Sequence, residues 1–250
     1  MTLCDFFAAN PRVALAFSGG VDSAYLLYAA KAYGAQVKAY YVKTAFQPRF
    51  EYEDALRLAE QLGADMQTIE LDVLAEEAIT ANPKNRCYFC KRKIFTAILA
   101  AAKADGFRLV IDGTNASDDA ADRPGMQALQ ELEVRSPLRE AGLTKAQIRK
   151  HSKDAGLFTH DKPAYACLAT RIPAGTAITK PLLERTERAE EFLKKLGFSD
   201  FRIRLMGEAA RIQLPNGQLP LLLEHRQTIL TELKKYYCAV LLDLEVRHES

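Results

Sequence analysis

Six consecutive residues near the start of the chain have the types and the spacing that phosphate binding requires. Two adjacent glycines allow a tight turn that brings backbone N–H groups close to an anion, and the flanking serines add hydroxyl donors. The aspartate can hold Mg²⁺ against phosphate oxygens. We interpret the segment as a nucleotide-binding loop rather than a simple glycine turn. It consists of Ser18, Gly19, Gly20, Val21, Asp22 and Ser23.

Cysteine is the second residue type that could carry chemistry. Cys87 and Cys90 are spaced i and i+3 at a predicted helix start, where their side chains can point toward one metal ion or cluster. Neighbouring basic residues would favour the thiolate form; they are Lys84, Arg86, Lys91, Arg92 and Lys93. Two buried thiols or a redox pair are alternatives, whereas a zinc site would need ligands that the nearby sequence lacks. Cys167, taken alone, would be a small buried side chain.

Alternating apolar runs and helical periods indicate how these residues are positioned. The alternation predicts an α/β fold, a doubly wound parallel sheet with helices on both faces. Ligands bind such sheets at the carboxyl ends of the strands, where residues 18–23 and 112–115 are expected. Strands are predicted at 13–17, 37–42, 66–71 and 108–111, and helices at 21–33, 50–62 and 88–105.

The pattern changes near residues 172–178, which predicts a second, smaller domain. We expect a nucleotide-binding domain over residues 1–174 and a small α+β domain over residues 175–250. The predicted elements of the small domain are a helix at 181–196, strands near 201–205 and 209–214, a helix near 218–235 and a last strand at 240–246.

Composition narrows the class of protein. A net charge of +2 over 250 residues argues against a broad nucleic-acid-binding face. No apolar run approaches the roughly 20 residues of a membrane helix, and the first residues do not resemble a signal peptide. The odd number of cysteines, 5, is poor evidence for a disulfide framework. We therefore expect a cytoplasmic protein with no membrane partner and no nucleic-acid partner.

The phosphate-binding segment resembles the PP-loop of the ATP pyrophosphatase superfamily. It lacks the Gly-Lys-Ser/Thr ending of a Walker loop and the G-x-G-x-x-G spacing of a dinucleotide fold. The resemblance implies an adenine nucleotide alpha hydrolase-like fold and AMP transfer instead of γ-phosphoryl transfer.

Further motifs, in the right order over residues 13 to 215, resemble the LarE family of ATP-dependent sulfur transferases. That family helps to make the nickel-pincer nucleotide cofactor. The motifs are Asp112-Gly113-Thr114-Asn115, Asp122-Arg123-Pro124-Gly125, Ser136-Pro137-Leu138 and Lys162-Pro163-Ala164-Tyr165-Ala166-Cys167-Leu168-Ala169-Thr170-Arg171.

The resemblance implies the following chemistry. A carboxylate of pyridinium-3,5-biscarboxylic acid mononucleotide is adenylated by ATP, and sulfur then displaces AMP to give a thiocarboxylate. In one form of the family the cysteine that matches Cys167 gives up its own sulfur. In the other form three cysteines hold a 4Fe–4S cluster with one open iron, which suits a labile sulfide. Because Cys87 and Cys90 accompany Cys167, we favour the cluster form; Cys4 and Cys238 match no family motif.

The resemblance also implies the site residues, a role of the domain over residues 175–250 in substrate binding or oligomerisation, and an assembly into homo-oligomers. ATP and pyrophosphate would contact residues 18–23 with Gly113 and Asn115, and Asp22 would bind Mg²⁺. Substrate would contact Arg171, Arg202, Arg204 and Glu190, with Glu191 as the alternative to Glu190, and one or two basic residues of 84–93 could join them. Gln213 stands where glutamate is expected, which weakens any metal or acid role at that position.

Three other functions remain open from the sequence. Several PP-loop enzymes thiolate tRNA, although the near-neutral charge argues against it here. ATP-dependent amide formation would need no cysteine pair. A non-enzymatic iron–sulfur or nucleotide-sensing protein is the alternative from a different class.

Overall fold

The structure, a computed structural model, describes residues 1–118 and 124–247 of the chain. Its helices and strands alternate over the first half of the chain. The strands are β1 (Arg12–Ala16), β2 (Gln36–Lys43), β3 (Asp65–Glu70), β4 (Val110–Ile111), β5 (Arg202–Met206), β6 (Ala209–Gln213) and β7 (Val240–Leu242). The helices are α1 (Leu3–Ala9), α2 (Val21–Ala32), α3 (Arg49–Gln61), α4 (Glu77–Thr80), α5 (Arg86–Ala104), α6 (Pro124–Glu131), α7 (Pro137–Glu140), α8 (Lys145–Asp154), α9 (Lys180–Lys195), α10 (Leu219–Glu224) and α11 (Arg226–Leu233).

The chain forms two compact units. The first consists of Met1–Val73 and Asn85–Lys162, and the second of Leu74–Lys84 and Pro163–Ser250. The division therefore falls earlier than residue 174, and a short excursion of the chain also belongs to the second unit. The two domains predicted over residues 1–174 and 175–250 stay a prediction.

The first unit is built on a parallel four-stranded sheet in the order β3-β2-β1-β4. Successive residues of β1 point to opposite faces: Val13 and Leu15 pack in one apolar cluster with residues of α1, α2 and α8. Ala14, between them, packs in a second cluster with residues of α5 and α6. Helices therefore cover both faces of the sheet, and the predicted doubly wound α/β fold is confirmed.

Helix α2 is apolar on nearly every side, because the sheet covers one flank and α8 packs on it as well. Tyr25 of α2 stacks on His151 of α8 with ring centroids 5.6 Å apart. A buried helix of this kind holds its first turn in a fixed position at the carboxyl end of β1. The loop between β1 and α2 is therefore presented by two rigid elements.

The second unit contains a three-stranded sheet in the order β5-β6-β7, with β5 and β6 antiparallel and β6 and β7 parallel. Helix α9 packs against β5, and its buried residues include Leu183, Ala189 and Leu193. The helix predicted near 218–235 is two helices that meet at His225. The last strand ends at Leu242, and just beyond it the Asp243 carboxylate accepts a hydrogen bond from the Glu245 N–H (3.2 Å).

Among residues 1–118 and 124–247, no helix has the length and apolar character needed to cross a membrane.

Candidate nucleotide and sulfur sites

The loop after β1 is closed by its own serines. The Ser18 and Ser23 hydroxyl oxygens lie 3.1 Å apart, and the Ser18 hydroxyl accepts from the Gly20 N–H (3.3 Å). Gly19 has φ +72°, and a Cβ built there would lie 3.0 Å from the Ala55 Cβ of α3. Any other L-residue at position 19 would be both strained and crowded.

The first turn of α2 faces this loop. Gly20 occupies the position before the helix and has no side chain that could accept from the first-turn N–H groups. A helix start without a side-chain cap keeps these donors available for an anion, and the helix dipole favours negative charge there. The geometry thus fits the predicted phosphate contact with residues 18–23.

Asp22 projects from this turn and pairs with a lysine. The Lys145 Nζ lies 2.6 Å from Asp22 Oδ2, and the Asn115 side-chain amide donates to Oδ1 at 3.4 Å. Burial, the largest influence, raises the pKa of Asp22 above its ordinary value, although the charge and hydrogen bond of Lys145 act in the opposite direction. The carboxylate chemistry fits the predicted Mg²⁺ contact.

Sequence reasoning missed Lys145. Lys145 is the first residue of α8, after a capping box formed by Thr144 and Gln147. The helix dipole disfavours a cation at a helix N-terminus. A lysine at the first position of a predicted helix is therefore the sequence signal that could have marked Lys145 as a residue with a special partner. The structure shows that Asp22 compensates for this charge.

The segment after β4 meets the nucleotide loop, as predicted. A Cβ at Gly113 would lie 2.9 Å from the Ser23 backbone nitrogen, so only glycine permits this approach. Asp112 accepts from the Thr114 hydroxyl (2.5 Å) and the Ser136 hydroxyl (2.6 Å). The motifs at 112–115 and 136–138 therefore form one hydrogen-bonded layer beside residue 23. Of the motif at 122–125, Asp122 and Arg123 lie outside the described residues.

The cysteine pair lies on the first turns of α5. Cys87 is exposed and Cys90 is half-buried, and their i, i+3 spacing places them on one side of the helix. The buried Arg86 donates to the Cys87 sulfur at 3.7 Å and lies over the Phe46 ring. One of the neighbouring basic residues, Arg86, therefore contacts the sulfur of Cys87.

Cys167 lies in the second unit, before a 3-10 turn over Leu168–Arg171. Its carbonyl accepts from the Thr170 N–H (3.0 Å) and the Thr170 hydroxyl (2.8 Å). Cys4 and Cys238 are exposed.

The thiolate donors of Cys87 and Cys90 have the ligand chemistry of an iron–sulfur cluster. Within the described part of the chain, however, no group of three or more His, Cys, Asp or Glu side chains is placed to hold a metal ion. The fit thus extends to two of the three predicted ligands, both in the first unit, and the three-ligand set with Cys167 stays a prediction.

The four predicted substrate residues lie together in the second unit. Arg171 and Glu190 form a buried bidentate ion pair, with Nε to Oε1 at 2.8 Å and Nη2 to Oε2 at 3.1 Å. Arg202 and Arg204 follow on one face of β5; Arg202 donates to the Ala164 carbonyl and Arg204 to the Thr170 carbonyl (2.8 Å). The alternative candidate, Glu191, instead pairs with Lys195 at the surface.

Burial dominates the electrostatics of this group. It raises the pKa of Tyr165, whose hydroxyl donates to Glu190 at 2.5 Å, and it lowers the pKa of Arg202 to about 10. Burial also acts to lower the pKa of Arg171, but the hydrogen bonds and the charge of Glu190 outweigh it, and the pKa is raised. The arginines therefore remain cationic at neutral pH.

Gln213 uses both ends of its amide. Its oxygen accepts from Arg204, and its nitrogen donates to Asp243 Oδ2 at 2.6 Å. An ionised glutamate at this position could not donate and would face a second carboxylate. The neighbouring Asp243 thus explains why an amide stands at position 213.

Lys162, the first residue of the motif that contains Cys167, pairs with two carboxylates. Lys162 Nζ lies 2.9 Å from Glu51 Oε1 and 2.7 Å from Asp54 Oδ2, both on α3. All three side chains are at most one-third exposed. Lys162, the last residue of the first unit, is therefore held against α3 by two ion pairs.

Comparisons with known proteins agree with this geometry. The sequence model of the asparagine synthase family matches residues 7–118. An uncharacterized protein of Synechocystis is 40% identical over 220 residues, which cover 87% of this chain and 81% of that protein. A tRNA-specific 2-thiouridylase of Clostridium botulinum is 29% identical over 182 residues, 60% of this chain and 52% of that protein.

A further relative has a named activity. The pyridinium-3,5-bisthiocarboxylic acid mononucleotide synthase of Lactiplantibacillus plantarum is 33% identical over 210 residues, which cover 83% of this chain and 76% of that enzyme. The chain therefore belongs to the family of pyridinium-3,5-bisthiocarboxylic acid mononucleotide synthase, the LarE family that its motifs resemble.

Proposed function

We propose that this protein is an ATP-dependent, AMP-forming sulfur transferase. Its substrate would be pyridinium-3,5-biscarboxylic acid mononucleotide, whose carboxylates become thiocarboxylates. The observation that carries the proposal is the 33% identity to the named synthase over 83% of the chain. The geometry of the nucleotide loop and the accessible cysteines supports the same chemistry.

The nucleotide loop would hold the phosphates of ATP. The N–H groups at the start of α2 and the Ser18 and Ser23 hydroxyls would donate to them, and Asp22 would contact Mg²⁺, which neutralises phosphate charge when bound. The substrate carboxylate attacks the α-phosphorus, and the bond to pyrophosphate breaks. The acyl adenylate is a far better electrophile than a carboxylate, because AMP leaves more readily than oxide.

The thiolate or sulfide then attacks the activated carbonyl carbon, and AMP leaves with the electron pair of the broken C–O bond. We favour a 4Fe–4S cluster on Cys87, Cys90 and Cys167, which when bound would supply a labile sulfide. The basic Arg86 beside Cys87 and the shared helix side of Cys87 and Cys90 support this choice. The alternative is donation of the Cys167 sulfur itself, which would leave dehydroalanine.

The predicted substrate contacts of Arg171, Arg202, Arg204 and Glu190 stay predictions. Arg204 is the half-buried member of this set, whereas the other three are buried. A phosphate or carboxylate of the substrate would therefore meet Arg204 with the least rearrangement. Homo-oligomer formation and a cytoplasmic location also stay predictions.

The test is a single-turnover reaction of anaerobically purified protein with ATP and the biscarboxylic mononucleotide. We expect AMP, pyrophosphate and thiocarboxylate in equal amounts, measured by mass spectrometry. Cys167→Ala should abolish thiocarboxylate formation, while Cys4→Ala, at an exposed cysteine outside the motifs, should not. Hydrolysis of ATP to ADP, or turnover without any thiocarboxylate, would contradict the proposal.

Colour and mass measurements on the same purified protein and its cysteine variants identify the sulfur source. A brown colour that is lost equally in Cys87→Ala, Cys90→Ala and Cys167→Ala supports the cluster. Loss of one H₂S from Cys167 after turnover, with the other two cysteines dispensable, supports sacrificial donation.

A second candidate is tRNA thiolation, because several tRNA 2-thiouridylases match about 60% of the chain at 28–29% identity. The near-neutral charge of +2 disfavours it. Binding of tRNA with a steep salt dependence, together with thiolated tRNA as product, would favour this function over the first.

A further inference from the structure

We propose that Arg171 and Glu190, together with Tyr165, are positioning residues that fix the backbone on both sides of Cys167. The proposal rests on the proposed function, because it concerns the sulfur chemistry of that cysteine. It assigns to Arg171 and Glu190 a task inside the protein in place of the predicted contact with substrate.

The backbone before Cys167 has no regular structure of its own. Residues 162–167 belong to neither helix nor strand, so their carbonyl groups need partners from elsewhere. Arg171 supplies them: its Nη1 donates to the Ala166 carbonyl at 2.8 Å and lies 3.4 Å from the Cys167 carbonyl. The same Nη1 also donates to the Thr170 hydroxyl at 2.8 Å. One guanidinium therefore holds the two peptide groups that flank the Cys167 α-carbon.

Glu190 holds that guanidinium in place. Its Oε1 accepts from Arg171 Nε (2.8 Å) and the Ile203 N–H (2.9 Å). Its Oε2 accepts from Arg171 Nη2 (3.1 Å) and the Tyr165 hydroxyl (2.5 Å). Because Glu190 lies in α9 and Ile203 in β5, the position of Arg171 is set by a helix and a strand.

The Tyr165 ring completes the arrangement. The guanidinium carbons of Arg171 and Arg202 lie 4.6 Å and 5.1 Å from its centroid, within the range of cation–π contacts. Tyr165 precedes Cys167 by two residues, so the ring fixes the approach of the chain to the cysteine. Arg204 holds the other end of the segment through the Thr170 carbonyl.

The geometry leaves Arg171 little capacity for substrate. Each of its three nitrogens donates within the chain, and the residue is 1% exposed. A reacting sulfur must be held close to its productive position, since a misplacement of about 1 Å can cost on the order of 100-fold in rate. The hydrogen bonds from Arg171 Nη1 to the Ala166 and Cys167 carbonyls, called here the clamp, meet this requirement without contact between Arg171 and the substrate.

The test compares the wild type with the double variant Arg171→Met/Glu190→Met. Replacing a buried ion pair by apolar side chains of similar size often preserves stability, so this variant removes the clamp while keeping the core filled. Glu184→Gln is the matched control, because Glu184 is an exposed glutamate on the same helix, paired with Lys180 at the surface. Circular dichroism checks folding, and Arg171→Lys serves as a second variant that keeps the charge but loses the planar fork.

Two measurements are made. In the protein without substrates, amide exchange over residues 163–172 and iodoacetamide labelling of Cys167, both resolved by mass spectrometry, should be about 10-fold faster in the double variant, as expected for a locally opened segment. In turnover, kcat for thiocarboxylate formation should fall on the order of 100-fold while KM for ATP is unchanged. Arg171→Lys should be intermediate, and Glu184→Gln should equal the wild type.

Unchanged exchange and labelling in both Arg171 variants would overturn the proposal, as would a rise in KM for the mononucleotide with kcat unchanged, which would indicate substrate binding. A wild-type protein that makes no thiocarboxylate contradicts the proposed function instead, and the exchange measurement still decides whether the clamp exists.

Discussion

The nucleotide loop and the Cys167 segment hold their functional groups in different ways. The loop is built from neighbours in sequence. The Ser18 hydroxyl forms hydrogen bonds with the Gly20 N–H and the Ser23 hydroxyl, and α2 follows directly. The Cys167 segment is held by side chains from 19 to 38 residues away, namely Glu190, Arg204 and Arg202. A site made by local backbone geometry depends on glycines, whereas a site made by distant partners depends on buried charge.

Glu190→Ala tests the dependence of the Cys167 segment on buried charge. Truncation would leave the buried Arg171 guanidinium without its carboxylate, and breaking one partner of a buried pair costs about 3–5 kcal/mol. We expect urea unfolding of the second unit to shift by this amount. Glu191→Ala, at the surface, should stay within about 0.5 kcal/mol of the wild type. Equal effects of the two substitutions would show that the Cys167 segment does not depend on buried charge.

Gly113→Ala tests the dependence of the nucleotide loop on close backbone approach. The new Cβ would lie 2.9 Å from the Ser23 nitrogen, and relief requires a backbone shift. Overpacking of this kind costs about 1–3 kcal/mol, and calorimetry should show weaker ATP binding. Gly217→Ala, where a Cβ meets nothing within 4 Å, is the control. ATP binding that is unaffected by Gly113→Ala would contradict the assigned role of this contact.

Lys145→Met asks whether a distant charge also contributes to the nucleotide loop. The Asp22 and Lys145 side chains are 21% and 30% exposed, and a pair this accessible contributes about 1 kcal/mol or less. We therefore expect Mg²⁺-dependent ATP affinity to change by about fivefold at most. Lys150→Met, on the exposed side of α8, should have no effect. A change of several hundredfold would mean that the loop, too, depends on distant charge.

The smallest expected effect is a pH dependence at Asp22. Burial raises its pKa in the folded protein, so the ionised form costs stability at neutral pH and this cost is relieved as the pH falls through the raised pKa. Over the same range the carboxylate loses its charge, and Mg²⁺-dependent ATP binding should weaken at a higher pH than for an ordinary carboxyl. Asp22→Asn should remove this part of the pH profile; an unchanged profile would assign it to another group.

The sequence was most informative where structure is local. Alternating apolar runs predicted the four strands of the first sheet and the helices α2, α3 and α5 to within a few residues. They did not predict α1, α6 and α8, which also pack on that sheet. Lys145 escaped notice because its partner is 123 residues away. The arginines of β5 were predicted to share a face, and they do, but their contacts with the carbonyls of Ala164 and Thr170 could not be foreseen from spacing.

Helix α3 lies beside both the nucleotide loop and Lys162. A Cβ at Gly19 of the nucleotide loop would lie 3.0 Å from the Ala55 Cβ of this helix. Glu51 and Asp54, on the same turn, pair with the Lys162 ammonium. Lys162 is the last residue of the first unit, so one turn of α3 lies beside both the nucleotide loop and the end of this unit. A substitution that repositions this turn would therefore change the surroundings of Gly19 and of Lys162 together.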